Sequence, residues 1–229
     1  RDVEQLNVSP ARRDELARPF PGRWAGQPQL RLEKLAARFD RGGFLDDSIM
    51  YMKEVVRTRP YDAALYADLG VRLIRRGKPT EALTVYKQAV ELNPNSPAAH
   101  YNLGIAYALQ NNLQSSIRHV RQTLQLDPDH AKSHFHLGMS LLAQNQPKEG
   151  LVHLRDALRL APDDHRTRYH MGLALLKQGQ VNEALEHLQE TLHHDPDQLE
   201  VLNAVASILA KHNDPELRRP QEAIRLAQR

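Results

Sequence analysis

Histidine is the residue type with which this chain could most readily do chemistry. Twelve histidines occur among its 229 residues, and imidazole nitrogens are common metal ligands. His119, His153 and His187 stand at equal intervals, so they take the same place in successive copies of a repeated helical unit. Such copies are two packed helices apart, each step about 8–10 Å, whereas zinc ligands must all lie within about 2.1 Å of the metal. These three histidines therefore cannot share one ion.

A second histidine group is more compact in sequence. His130 and His134 are one helical turn apart, with His136 close by. The sequence places no carboxylate or further histidine to complete a metal site there, so it predicts no metal centre. The chain also has no cysteine, which excludes disulfides and thiolate metal sites within it.

The sequence offers no better case for catalysis. Gly70 and Gly77-Lys78 faintly suggest a phosphate-binding loop, but six residues separate the glycines where the nucleotide motif requires four. No nucleophile elbow or buried base is indicated by any local pattern. We therefore expect no catalytic residue, no cofactor and no enzymatic activity within these residues.

The dominant pattern is a constant period along the chain, which is typical of stacked repeats. Each repeat contains two apolar stripes at helical spacing, separated by a polar break such as Arg76–Pro79, and predicts an antiparallel helix pair. One glycine of each full repeat falls inside the first helix, where glycine costs about 1 kcal/mol relative to alanine. This cost is explained if the second helix passes close to the glycine. The period is carried by Pro60, Pro94, Pro128, Pro162 and Pro196, and by Gly70, Gly104, Gly138 and Gly172, which we expect to face Ala82, Ser116, Gly150 and Ala184.

This pattern resembles the tetratricopeptide repeat family over about residues 29–229. The resemblance implies an all-α fold, a right-handed superhelical solenoid of antiparallel helix pairs, with a concave face lined by the first helices. It is carried by the pairs Leu69-Gly70, Leu103-Gly104 and Leu137-Gly138, by the aromatic residues Tyr101, Tyr107, Phe135 and Tyr169, by the Glu-Ala-Leu runs at 81–83 and 183–185, and by the closures at 92–94 and 126–128.

The period also sets the expected domain organisation. Residues 1–28 are predicted to be an irregular N-terminal arm, which either covers the first helix pair or docks into a partner through Trp24. The solenoid is predicted to contain a degenerate repeat at 29–62, full repeats at 63–96, 97–130, 131–164 and 165–198, and an incomplete repeat at 199–229.

The resemblance also implies where a partner would bind, because ligands of the family meet defined positions of the first helices. The central repeats would there form an apolar groove with a polar rim, suited to an amphipathic helix or an extended segment. The family's clamp for chaperone tails is not expected, because Ala67, Tyr101 and Phe135 replace the side chains it needs. The predicted partner-binding residues are Tyr101, Asn102, Ile105, Leu109, Lys132, Phe135, His136, Met139, Leu142, Arg166, Tyr169, His170, Leu173 and Leu176, together with Trp24 in the arm.

Composition narrows the partner class. The net charge of +3 arises from 31 basic and 28 acidic residues, spread without a single-sign face, which argues against nucleic acid. No apolar run approaches the roughly 20 residues of a membrane span.

The leading hypothesis is a non-catalytic scaffold that binds a protein or peptide. The alternatives are a structural subunit of a larger, membrane-associated complex and the recognition region of a larger enzyme. The run 214–227 is similar to tail repeats of exported bacterial proteins, which favours an extracytoplasmic setting.

Overall fold

The computed structural model describes residues 28–211 and 218–227, and every regular element within these ranges is an α-helix. The predicted all-α helical repeat fold is confirmed. The expected arm, with Trp24, lies outside the described residues apart from Pro28, which begins the first helix. The helices are α1 (Pro28–Arg41), α2 (Leu45–Thr58), α3 (Ala63–Arg75), α4 (Pro79–Leu92), α5 (Pro97–Leu109), α6 (Leu113–Leu126), α7 (Ala131–Ala143), α8 (Pro147–Leu160), α9 (His165–Lys177), α10 (Val181–His194), α11 (Leu199–Lys211) and α12 (Pro220–Ala227).

The chain divides into two compact units, the first ending at Leu126 and the second beginning at Asp127. In the first unit α1 packs on α2, α3 on α4, and α5 on α6. In the second unit α7 packs on α8, α9 on α10, and α11 on α12. Consecutive helices therefore form the antiparallel pairs that the period predicts.

Each pair is held by a buried apolar seam. In the second unit, Leu154 of α8 and Leu175 of α9 are fully buried in one cluster. Leu188 of α10 and Val201 of α11 are equally buried in the next cluster. The helices of this unit therefore bury apolar side chains both within a pair and between neighbouring pairs.

The repeated glycines mark the closest approach within a pair. A Cβ atom at Gly138 would lie 2.9 Å from the carbonyl oxygen of Gly150 and 2.9 Å from Cγ of Leu154. At Gly104 it would lie 2.7 Å from a methyl of Val120. The second helix thus does pass close to these glycines. Two features of the second helix crowd both glycines. One is the backbone of the small residue that faces the glycine, and the other is the large side chain one turn later.

The first helix of a pair ends in a left-handed turn. In α7, Asn145 has φ +59°, the Gln146 N–H donates to the carbonyl of Leu141 at 2.9 Å, and the Asn145 N–H donates to that of Leu142 at 3.1 Å. These two bonds satisfy carbonyls that the helix end leaves open. The same turn follows the first helix of each of the first five pairs, with positive φ at Gly43, Gly77, Asn111, Asn145 and Gly179.

In the part of the chain that the structure describes, the helices are too short or too polar to cross a bilayer.

Candidate functional site

The second unit contains a groove of about 390 Å³ between α7 and α9. The turn after α7 and the first residue of α8 close one end of it. Its lining is largely apolar, with two amides, an imidazole and an ammonium group. The lining residues are Met139, Leu142, Ala143, Asn145, Pro147, His170, Leu173, Ala174, Lys177 and Gln178.

Four of the predicted binding residues line this groove. Met139 and Leu142 contribute from α7, and His170 and Leu173 contribute from α9. All four are partly exposed. Helical spacing places the two residues of each helix on the same face of that helix. This is why the repeat positions identified them.

Phe135, which was also predicted to bind a partner, is buried, because its side chain is only 5% exposed. It belongs to the apolar cluster of the second unit, together with Leu151 and Met171. The guanidinium carbon of Arg166 lies 4.8 Å from the centre of its ring. Phe135 therefore supports the wall of the groove from within.

Other predicted residues of the second unit lie near the groove without lining it. Leu176 is partly buried between two apolar clusters, and Tyr169 packs on the cluster of α10 and α11. Lys132 and Arg166 are exposed. His136 is partly buried with its ring 5.0 Å from that of Phe135.

The predicted residues of repeat 97–130 lie on α5, in the first unit. Tyr101, Asn102 and Ile105 are partly buried, and Leu109 is 57% exposed. The groove between α7 and α9 is formed entirely by residues of the second unit.

The turn that closes the groove was not predicted from the sequence. Asn145 and Pro147 line it from this turn, and Gln178 does so from the end of α9. A signal was present, because Asn145 takes the place of Gly77 and Gly179 in the period, and asparagine is the residue other than glycine that most readily adopts a left-handed conformation.

The imidazoles at this site are held neutral. Burial lowers the pKa of His170, and the nearby Arg166 lowers it further, against an opposing effect of Asp164. Burial, with Arg166, Lys132 and His130 around it, lowers the pKa of His136 to about 4. Near neutral pH both rings can donate and accept hydrogen bonds, and the positive charge beside them comes from lysine and arginine.

Comparison with known families identifies the repeat. Two models, each described as tetratricopeptide repeat, match residues 97–130 and 141–208. A model described as TPR repeat matches residues 70–111. Together these matches cover more than half of the chain. The chain belongs to the tetratricopeptide repeat family.

Solved structures show the same fold at low identity. MamA residues 41 to the end from Desulfovibrio magneticus RS-1 align with a TM-score of 0.69 at 21% identity, over 76% of this chain and 98% of that chain. YrrB, described as a TPR protein with an unusual peptide-binding site, aligns with a TM-score of 0.66 at 22% identity, over 77% and 92%. The APC/C hetero-tetramer Cut9–Hcn1 aligns with a TM-score of 0.67 at 20% identity, over 76% of this chain and 35% of that chain. No curated protein sequence matches the chain.

Proposed function

We propose that this chain is a non-catalytic scaffold that binds a segment of a partner protein in the groove between α7 and α9. The observation that carries the proposal is the composition of that groove, whose apolar walls are ringed by hydrogen-bonding groups. Apolar anchors supply affinity to a peptide segment, and a polar rim fixes its orientation.

The size of the groove favours a peptide segment over a folded domain. At about 390 Å³ it lies toward the small end of ligand pockets, which span about 300–1,000 Å³. Such a volume accommodates a few apolar side chains. The walls that would receive them are Met139, Leu142 and Leu173.

The charge of the groove favours a segment with acidic residues beside its apolar anchors. Lys177 is the charged side chain among the lining residues, and none of them is a carboxylate. The guanidinium of Arg166 is close enough to His170 to lower its pKa. A carboxylate at the edge of a bound peptide would therefore meet positive charge, most strongly at low ionic strength.

The lining argues for binding rather than catalysis. Its side chains are mostly aliphatic and amide groups with one thioether, and the imidazole of His170 and the ammonium of Lys177 have no serine, cysteine or carboxylate beside them among the lining residues. Membership of the tetratricopeptide repeat family agrees, because these repeats serve as protein-interaction units. The peptide-binding site named for the similarly folded YrrB supports the same class of function.

A random-peptide library panned on the full chain tests the proposal. Selected peptides should bind the wild type with micromolar or tighter affinity, measured by fluorescence anisotropy. Leu173→Glu should weaken that binding at least tenfold, because it places a carboxylate against the apolar part of the peptide.

Val152→Glu is the matched control. Val152 lies on α8 of the same unit, is 53% exposed, and does not line the groove. It should leave binding unchanged. Equal binding by the wild type and Leu173→Glu, with helicity preserved in both, would rule out the groove as the binding site.

A further inference from the structure

Three potential metal ligands converge on one side of the second unit. His134 of α7 and His153 of α8 approach each other with 3.1 Å between their Nδ1 atoms. Oδ2 of Asp156, one turn further along α8, lies 3.8 Å from Nδ1 of His134. All three ligand atoms lie within 4.8 Å of one another, and the cluster is separate from the residues that line the groove.

A backbone contact fixes which nitrogen of His134 is available. Its Nε2 lies 3.0 Å from the carbonyl oxygen of Pro128. A carbonyl oxygen only accepts, so Nε2 carries the hydrogen and donates it. In the neutral ring the lone pair is then on Nδ1, which is the atom that faces His153 and Asp156. Metal-bound histidines usually donate their other ring N–H to a carbonyl or carboxylate in this way.

This backbone contact recurs along the chain. In four repeats, the carbonyl of the preceding proline accepts a hydrogen bond from the side chain six positions later, which is a tyrosine, a histidine or an arginine. Tyr66 bonds to Pro60, His100 to Pro94, His134 to Pro128, and Arg168 to Pro162. The contact is thus part of the repeat, and a histidine at this place is oriented for coordination as a consequence.

Asp156 is oriented as well. Its Oδ1 lies 3.5 Å from Nε of Arg159, which leaves Oδ2 directed toward the imidazoles. His134 is only 9% exposed, while His153 and Asp156 are partly exposed. An ion could therefore enter from the solvent side and keep a water molecule as a further ligand.

The spacing fits a small tetrahedral ion. Ligand atoms about 2.0–2.1 Å from zinc are roughly 3.3 Å from each other in a tetrahedron. The two separations from Nδ1 of His134, 3.1 and 3.8 Å, lie on either side of this value, and the third is within 4.8 Å. Two imidazoles with one carboxylate suit a divalent transition ion, whereas Mg²⁺ and Ca²⁺ prefer sites made of oxygen.

The first unit contains a near copy that lacks the third ligand. His100 and His119 approach to 3.2 Å between their Nδ1 atoms, and Nε2 of His100 lies 2.9 Å from the carbonyl oxygen of Pro94. The residue equivalent to Asp156 is Gln122. The histidine pair is therefore a feature of two repeats, and the carboxylate distinguishes the pair in the second unit.

We propose that Nδ1 of His134, Nδ1 of His153 and Oδ2 of Asp156 bind one divalent transition-metal ion of the zinc type. The ion links α7 to α8 and so stabilises one helix pair. This site was not apparent from the sequence, because its ligands lie on two different helices and come together only through the packing of the pair.

Titration of the full, chelator-treated chain with Zn²⁺ tests the proposal, read by calorimetry and by thermal unfolding. The wild type should bind one tight equivalent that raises its unfolding temperature. His153→Ala and the isosteric Asp156→Asn should each weaken this equivalent at least tenfold. His119→Ala, which removes a histidine from the pair without a carboxylate, should bind like the wild type. Circular dichroism establishes that each variant folds.

Three results would overturn the proposal. The first is a wild type that binds no tight equivalent. The second is wild-type binding by both Asp156→Asn and His153→Ala, and the third is an equal loss of the site in His119→Ala. The same titration with Mg²⁺ should give no tight binding, and a tight Mg²⁺ site would contradict the assigned ion class.

Discussion

Four histidines of the described chain are partly buried and so partly shielded from water. Burial is the main cause that lowers the pKa of His119, His136, His170 and His187 in the described chain. A histidine of this kind destabilises the fold when it is forced to carry a proton. The pH dependence of stability therefore reports directly on these environments.

We expect the free energy of unfolding to fall as the pH is lowered from 6.5 toward 4. The unfolded chain binds a proton on His136 near pH 6.5 and the folded chain only near pH 4, so between these values the unfolded state holds more protons and is favoured by acid. The loss from this residue at pH 4 is on the order of 3 kcal/mol.

Urea unfolding between pH 7 and 5 measures this effect at pH values where most carboxylates do not titrate. His136→Gln should reduce the slope of the free energy of unfolding against pH, because glutamine does not titrate. An unchanged slope in the variant would contradict the burial assigned to this ring.

Gly138→Ala tests the close approach of α7 and α8. In an unobstructed helix this substitution would stabilise by about 1 kcal/mol. Here the added methyl meets the Gly150 carbonyl and Leu154 at 2.9 Å, so we expect a destabilisation of roughly 1–3 kcal/mol. The sign of the change in the free energy of unfolding, measured in urea, therefore tests the close crossing of the two helices. A stabilised variant would disprove it.

At the scale of the elements, the turn after α7 links the repeat geometry to the groove. Asn145 holds a left-handed conformation and also lines the groove. Asn145→Ala should cost about 1–2 kcal/mol of unfolding free energy, measured in urea, because Cβ is crowded in this conformation. Asn145→Gly should cost nothing or stabilise.

The neighbouring Gln144 provides the control for this prediction. It is exposed and has φ −86°, so Gln144→Ala should change stability by less than about 0.5 kcal/mol. Equal effects of alanine at positions 144 and 145 would show that the turn is not strained in the way its dihedral angle implies.

The helices were predictable because their signals are local. The period, the breaks such as Arg76–Pro79 and the closures before proline set where helices begin and end, and the glycines marked the crossings. Whether a particular side chain is buried or exposed could not be predicted from such local signals.

Phe135 occupies a repeat position that points toward the groove, yet Arg166 and the next helix pair cover it. Its burial depends on residues of the following repeat, which no local pattern around Phe135 reports.

At the scale of the whole molecule, the helix pairs fall into two compact units, and the groove and the histidine–aspartate cluster both belong to the second. The first unit presents a different surface, with Leu109 exposed on α5. The repeat positions predicted binding residues in both units. Four of these residues, Met139, Leu142, His170 and Leu173, line the groove of the second unit.

Methionine-methyl NMR of the full chain bound to a selected peptide tests the binding groove most directly. The chain has four methionines. Met139 lines the groove, Met52 and Met171 are buried, and Met50 is 50% exposed on α2 of the first unit. We expect the peptide to shift the Met139 methyl resonance and to leave that of Met50 in place. A bound peptide that leaves Met139 unperturbed would contradict this expectation.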